Sequence, residues 1–320
     1  MFRLLKRLLK LVGVASVVFW LFGERGRFKQ STFQMARAAG TRGFLTLNSL
    51  HGYVYGRWTN QYISVLINQF VPHASPGARK WLADHYHAKV LTHDHARAIV
   101  SLEHDIPLTD LEQIIPYPVA RDILLTAPLD IAAYECACRH ARKEHCEPTQ
   151  VCMVVGKEPV EFILEHNPQS SRRLSQEEAL QLLEEEHQRG HVHTAWFKDA
   201  VLDRFYAVCN CCKCCCGGIE AMTRYGMPSI VSSGYVAKVD GALCNGCGVC
   251  VEACPFGALS LAGEGVAVEW ETCMGCGVCE GQCPLEAVTL ERDERKGIPL
   301  DVTSLAVSSL RLAAPRSTAD

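Results

Sequence analysis

The sequence predicts an α+β protein: a helical N-terminal region, a small mixed α/β cysteine-rich domain, and a duplicated C-terminal domain. Three observations predict this. Apolar residues recur at helical spacing through the first half, and capping boxes stand at Thr109-x-x-Glu112 and Ser175-x-x-Glu178. None of the 18 cysteines lies before Cys136 or after Cys283. The stretch 244–261 recurs at 273–290 with a constant offset of 29 residues.

Composition bounds the function classes. The 320-residue chain is 48% hydrophobic and 21% charged, which excludes wholesale disorder. No second long apolar stretch follows the first, which excludes a polytopic membrane protein. A formal net charge of −3 gives no general attraction to nucleic acid. The charge is unevenly spread, however. Residues 1–80 carry twelve Lys/Arg and one acid, Glu24, for a net of +11, so the remainder carries −14.

The elements follow in order. In residues 1–29, Arg3, Lys6, Arg7 and Lys10 share one helical face, and the run Leu11–Phe22 is apolar. Twelve helical residues rise only about 18 Å, short of a hydrocarbon core of about 30 Å. No small-x-small cleavage site follows the run, and no twin-Arg precedes it. The segment reads as a membrane-surface helix or short anchor, with the body in the cytoplasm at the inner face. Residues 30–128 read as helical: a short apolar helix or strand over 60–70, helical spacing from Trp81 to Glu103, and a helix over VARDILL that ends before Pro128. His85, His87, His93 and His95 fall in this region. As i, i+2 pairs on a helix they point to different faces, so they read as a polar surface rather than as ligands. No HExxH, GxSxG, Walker A or GxGxxG motif is present, so the chain shows no hydrolase, nucleotide or dinucleotide signature.

Residues 129–234 read as the cysteine-rich α+β domain. LDIAAYE (129–135) is a short buried strand leading to Cys136, Cys138, Cys146 and Cys152 in the spacing C-x-C-x7-C-x5-C. Four thiolates so close in sequence match the count for one [4Fe–4S] cluster or one zinc ion. Arg139, Arg142, Lys143 and His145 would offset their negative charge. The helix opened by Ser175 closes at Gly190, and HVHTAWF and RFYAVCN alternate like a hairpin, with His191 and His193 as sheet-face residues. The hairpin delivers Cys209, Cys211, Cys212, Cys214, Cys215 and Cys216, followed by Gly217 and Gly218. Neighbouring side chains diverge, so these six cysteines are expected to divide between two sites. The alternatives are a reactive vicinal thiol pair or a cluster with more than four protein ligands.

Residues 235–292 contain Cys244-x2-Cys247-x2-Cys250-x3-Cys254-Pro255 and Cys273-x2-Cys276-x2-Cys279-x3-Cys283-Pro284. This duplication resembles the bacterial two-cluster ferredoxins. The resemblance implies a pseudo-twofold βαβ–βαβ domain with two [4Fe–4S] clusters, in which the fourth cysteine of each run ligates the other cluster. Carried over by position, Cys244, Cys247, Cys250 and Cys283 hold one cluster, and Cys273, Cys276, Cys279 and Cys254 hold the second. Val249, Ala258, Val278 and Ala287 would form an apolar shell around them. More loosely, 118–292 is similar to long ferredoxin-type proteins of anaerobic metabolism that carry CxCR and CNCCxCCC segments. Residues 293–320 read as a mobile tail with a short helix at 302–312.

These features make the expected function electron transfer by a membrane-associated polyferredoxin with two [4Fe–4S] clusters and one or two further Fe–S clusters, or zinc, in 136–216. Its expected partners are a redox protein or membrane redox subunit and an anionic membrane surface, not nucleic acid. The alternative is an iron–sulfur oxidoreductase subunit with a substrate-reducing cluster or reactive thiols in the Cys209–Cys216 loop. A redox or metal sensor is a third reading.

Overall fold

The computed structural model describes residues 29–39, 47–108, 111–119 and 122–305. The expected anchor before Lys29, Thr109 of the first capping box, and the expected helix beyond Leu305 lie outside the described residues. No helix among the described residues is long and apolar enough to cross a membrane.

The chain opens with helices α1 (Gln30–Ala38), α2 (Leu47–Arg57) and α3 (Thr59–Val65), the last running on through a π turn at Leu66–Phe70. Helix α4 (Pro76–His85) starts at Ser75, whose Oγ accepts the Ala78 N–H, with proline pre-set at the first position. The helical reading of Trp81–Glu103 then breaks. Tyr86–Val90 is a strand, β1, and a separate helix α5 (His93–Val100) begins at the Thr92 cap. The expected helix VARDILL is likewise replaced. Strands β2 (Ile106–Leu108) and β3 (Ile123–Leu125) form a small antiparallel pair.

The central sheet takes β4 (Ile131–Tyr134), β5 (Cys152–Val155), β6 (Ser171–Leu174), β7 (Val192–Lys198), β8 (Arg204–Cys211) and β9 (Ile230–Val231), together with β1. The strand order is β6-β4-β5-β8-β7-β1-β9, antiparallel except for β1 with β9. Helices α6 (Ala137–His140), α7 (Lys157–His166), α8 (Gln176–Gln188) and α9 (Gly217–Tyr225) connect these strands. The capping box of α8 is complete: Ser175 Oγ accepts the Glu178 N–H, and Glu178 accepts the Ser175 N–H. Such a cap stabilises a helix by about 1 kcal/mol.

Alternating residues of β7 enter opposite cores, because successive strand side chains point to opposite faces. Phe197 packs in a cluster with Ile99 of α5, Val160 of α7 and Leu183 of α8. Trp196 packs in a second cluster with Ile63 of α3 and Ile219 of α9. That second cluster also contains Cys250, Cys254, Cys273 and Cys279, so the sheet and the C-terminal domain share one apolar core.

The C-terminal domain consists of β10 (Tyr235–Val239), α10 (Val249–Ala253), β11 (Leu259–Ala262), β12 (Gly265–Val268), α11 (Val278–Gly281) and β13 (Val288–Arg292). Strand β10 pairs with β13 and β11 with β12, both antiparallel. The result is a mixed α+β molecule with N-terminal helices, a cysteine-rich sheet region and a C-terminal domain of small sheets. The stretch after 292 is not free along its length, since Leu300 and Val302 are buried against the first core.

Candidate metal centres

The duplicated domain forms two small cavities. One is lined by Cys244, Cys247, Cys250 and Cys283. The other is lined by Cys254, Cys273, Cys276 and Cys279. Each fourth cysteine therefore crosses to the cavity of the other run. Backbone amides reach the sulfurs in a symmetric way: the Ala258 N–H donates to Cys254 Sγ at 3.3 Å, and the Ala287 N–H to Cys283 Sγ at 3.3 Å. A third donates from Ala237 to Cys273 Sγ at 3.4 Å. Gly275, at φ +62°, allows the tight loop, because a Cβ there would lie 2.2 Å from the Tyr235 carbonyl oxygen. Val278, Ala258 and Ala287 are buried as an apolar shell, and Val249 lines the first cavity while remaining 41% exposed.

Burial pushes the Cys276 thiol up to about 12 and raises Cys250 as well. Buried thiols hold their protons unless a cation replaces them. Four sulfurs per cavity and amide donors aimed at sulfur fit a thiolate-bound iron–sulfur cluster.

The ten upstream cysteines separate into two sets, and the division differs from the sequence grouping. Cys146 leaves Cys136, Cys138 and Cys152 and joins Cys212, Cys214 and Cys215, all four Sγ lying within 4.8 Å of one another. The reason is local. Cys152 is fixed in β5 and Cys136 at the mouth of α6, while the loop after α6 carries Cys146 outward. The sulfur separations are 3.4 Å for Cys214–Cys215, 3.5 Å for Cys214–Cys146 and 3.9 Å for Cys146–Cys215. A tetrahedral ion with metal–sulfur bonds of about 2.3 Å places its ligands about 3.8 Å apart. The quartet therefore fits one ion; thiolates on a cubane each bond a separate iron and stand farther apart.

The second set is Cys136, Cys138, Cys152, Cys209, Cys211 and Cys216, which line a largely apolar cavity of about 70 Å³ together with Tyr55, Tyr86 and Trp196, and Cys212 of the quartet also borders it. Thiol hydrogen bonds run in a chain from Cys209 through Cys152, Cys136, Cys138 and Cys216 to Cys211. The hydrogen bond to Cys138 is the leading reason that the Cys136 thiol is pushed up to about 11. Hydrogen bonds to Cys136 and Cys209, with burial, hold Cys152 well above the usual thiol range. The six cysteines of 209–216 thus divide three and three. Cys209 and Cys211 share one face of β8, the turn after it exposes Cys214, and Cys216 caps α9.

Gly217 and Gly218 serve close packing more than loop freedom. A Cβ on Gly217 would sit 2.4 Å from Ile67, and one on Gly218 2.6 Å from Trp196. The Gly217 amide does reach Cys138 and the Ile219 amide Cys216. Arg139 is wholly buried; burial opposes its charge, but Cys212, Cys146 and Glu186 outweigh that and hold it protonated. Arg142 pairs with Glu220 and donates to the Cys215 carbonyl at 3.2 Å. His145 instead faces Glu147.

The histidines depart from the surface reading. His87 is fully buried and stacks on Tyr117 and Phe197, and His93 and His95 are half-buried. His193 is 1% exposed. His191 hydrogen-bonds Glu186 at 2.6 Å. His93, His187 and His193 bring their ring nitrogens within 4.8 Å of one another. Sequence reasoning missed this trio, since no spacing motif links the three residues.

Residues 243–296 match the family model of the 4Fe-4S dicluster domain. No curated protein matches the chain at a significant level. The C-terminal domain is therefore a 4Fe–4S dicluster domain, and its chemistry is iron–sulfur electron transfer.

Proposed function

We propose that the protein is a membrane-associated polyferredoxin that relays single electrons between the two clusters of its dicluster domain and a further metal centre held by the upstream cysteines. Cys244, Cys247, Cys250 and Cys283 hold one [4Fe–4S] cluster; Cys273, Cys276, Cys279 and Cys254 hold the second. When bound, the clusters supply one-electron redox chemistry. The chain's own residues exclude water, direct amides at sulfur and set the distance to the next centre.

The observation that carries this reading is the shared core. Cys211 and Cys216 of the six-thiol cavity and Cys250, Cys254, Cys273 and Cys279 of the dicluster domain lie in one buried apolar cluster. Lys213, within the cysteine-rich turn, also donates to the Glu252 carbonyl of α10 at 2.6 Å. A continuous low-dielectric path thus joins the upstream thiols to the clusters. The acidic body suits docking to a basic redox partner, and the basic residues 1–29 suit an anionic membrane or membrane subunit.

An EPR-monitored potentiometric titration of the full chain tests the relay. It is expected to resolve a paramagnetic centre beyond two interacting cubanes, lost in Cys152→Ser. Signals of two cubanes alone, identical in the variant, would overturn the relay.

A second reading has one observation of its own. Six thiols, with Cys212 of the quartet bordering them, and an aromatic wall line a single cavity, more sulfur than one cubane takes. A cluster there with an open iron site would make the chain an oxidoreductase subunit that reduces a small apolar substrate.

A further inference from the structure

We propose that His93, His187 and His193 form a binding site for one divalent transition-metal ion, zinc being the ion whose geometry fits. The site is separate from every cysteine set and lies where the sheet domain meets the dicluster domain.

Three elements bring the rings together: His93 opens α5, His187 ends α8 and His193 lies in β7. His93 Nδ1 stands 3.2 Å from His193 Nε2. Tetrahedral zinc with Zn–N bonds of about 2.0–2.1 Å places ligand nitrogens about 3.3–3.4 Å apart. The His187 ring stacks on His93 with centroids 4.3 Å apart.

The hydrogen-bond network fixes the protons. Asn210 Nδ2 donates to the Val151 carbonyl at 2.7 Å, which orients the amide. Its Oδ1 therefore accepts from His193 Nδ1 at 2.6 Å, leaving the lone pair of His193 Nε2 aimed at His93. On the far side of His93, Nε2 faces a Glu184 carboxylate oxygen at 3.2 Å and donates to it. His93 Nδ1 then meets a lone pair. Either it carries a second proton, making a half-buried imidazolium under the stacked ring of His187, or two lone pairs face each other.

A metal ion between the nitrogens removes the conflict. It takes both lone pairs, and the acceptors on the outer nitrogens become the usual support of a metal-bound imidazole. Glu184 on His93 is the carboxylate–histidine–metal arrangement, and Asn210 does the same for His193. The third ring lies against the dicluster helix α11, where a Cβ on Gly281 would sit 2.8 Å from His187 Nε2. Beside it, Gln282 Nε2 donates to the Gln188 carbonyl at 3.0 Å. The ion thus fastens α5, α8 and β7 at the contact with the helix that carries Cys279.

The test uses the full-length, cluster-loaded chain, equilibrated with Zn²⁺ and desalted anaerobically. Zinc, iron and sulfide are counted in the wild type and in His187→Gln, and zinc-edge absorption identifies the ligand atoms. The proposal predicts the loss of about one nitrogen-bound zinc per chain with iron and sulfide unchanged. Equal zinc in both proteins, or loss of a sulfur-bound ion, would overturn it. Glu184→Gln keeps every ligand and covers the case in which His187→Gln does not fold. It is expected to weaken zinc binding about 10–100-fold, and unchanged affinity would overturn the proposal equally.

Discussion

Arg139 Nη2 lies 3.1 Å from Glu186 Oε2, and both side chains are fully buried. The pair joins the mouth of α6, beside the thiols, to the last turns of α8. His191 and Arg189 complete the shell of Glu186, at 2.6 Å each. Burial alone would raise the Glu186 carboxyl, but His191 and Arg139 outweigh it and hold it below the usual range.

Breaking such a pair leaves a buried charge without a partner. Glu186→Ala is therefore expected to lower stability by about 3–5 kcal/mol. Anaerobic urea unfolding followed by cluster absorbance measures it. A loss no larger than that of a surface substitution would contradict the buried pair.

Lys89 gives a pH dependence. Its side chain is wholly buried in β1, and Nζ has no hydrogen-bond partner among the described residues. Burial, then the charge of Arg292, pulls its pKa down to about 7. The folded state binds this proton less tightly than the unfolded chain does. The contribution of Lys89 is therefore least favourable below pH 7 and improves as pH rises from about 7 toward 10.5. Lys89→Met is expected to raise the unfolding midpoint at neutral pH and to flatten the rise above it. Parallel profiles for variant and wild type would contradict this account.

How far such features can be read from sequence depends on how local they are. The Ser175–Glu178 cap and the two cysteine runs of the dicluster domain are written in adjacent residues, and the structure carries them unchanged. Strand β1 is not local: Lys89 pairs with Ala195 of β7, and its buried neighbours mimic a helical stripe because both sheet faces are covered. The Cys146 quartet was hidden for the same reason, since its other members lie more than sixty residues on. His93 and His193 are 100 residues apart, and only the sheet joins them.

Cys214 is the exposed member of the quartet. Burial tends to raise its thiol, but hydrogen bonding with Cys215, Cys146 and Cys212 outweighs that and lowers it. In metal-depleted protein Cys214 is expected to be the first quartet thiol alkylated by iodoacetamide, as peptide mapping would show. Cys214→Ser should remove about one metal ion and no sulfide. A loss of about four irons with their sulfide would contradict a single-ion site.

The N-terminal basic segment predicts salt-sensitive membrane binding. Full-length protein should sediment with vesicles containing phosphatidylserine and not with neutral ones. Each basic residue near the surface contributes about 1 kcal/mol, screened as salt rises. Equal binding to both vesicles, or binding to neither, would contradict an electrostatic anchor.

The most direct test of the central claim is anaerobic iron and acid-labile sulfide content per chain, in the wild type and in Cys152→Ser. The relay predicts more than about eight irons in the wild type and a clear drop in the variant. About eight irons in both, with matching sulfide, would confine the clusters to the dicluster domain and contradict the relay.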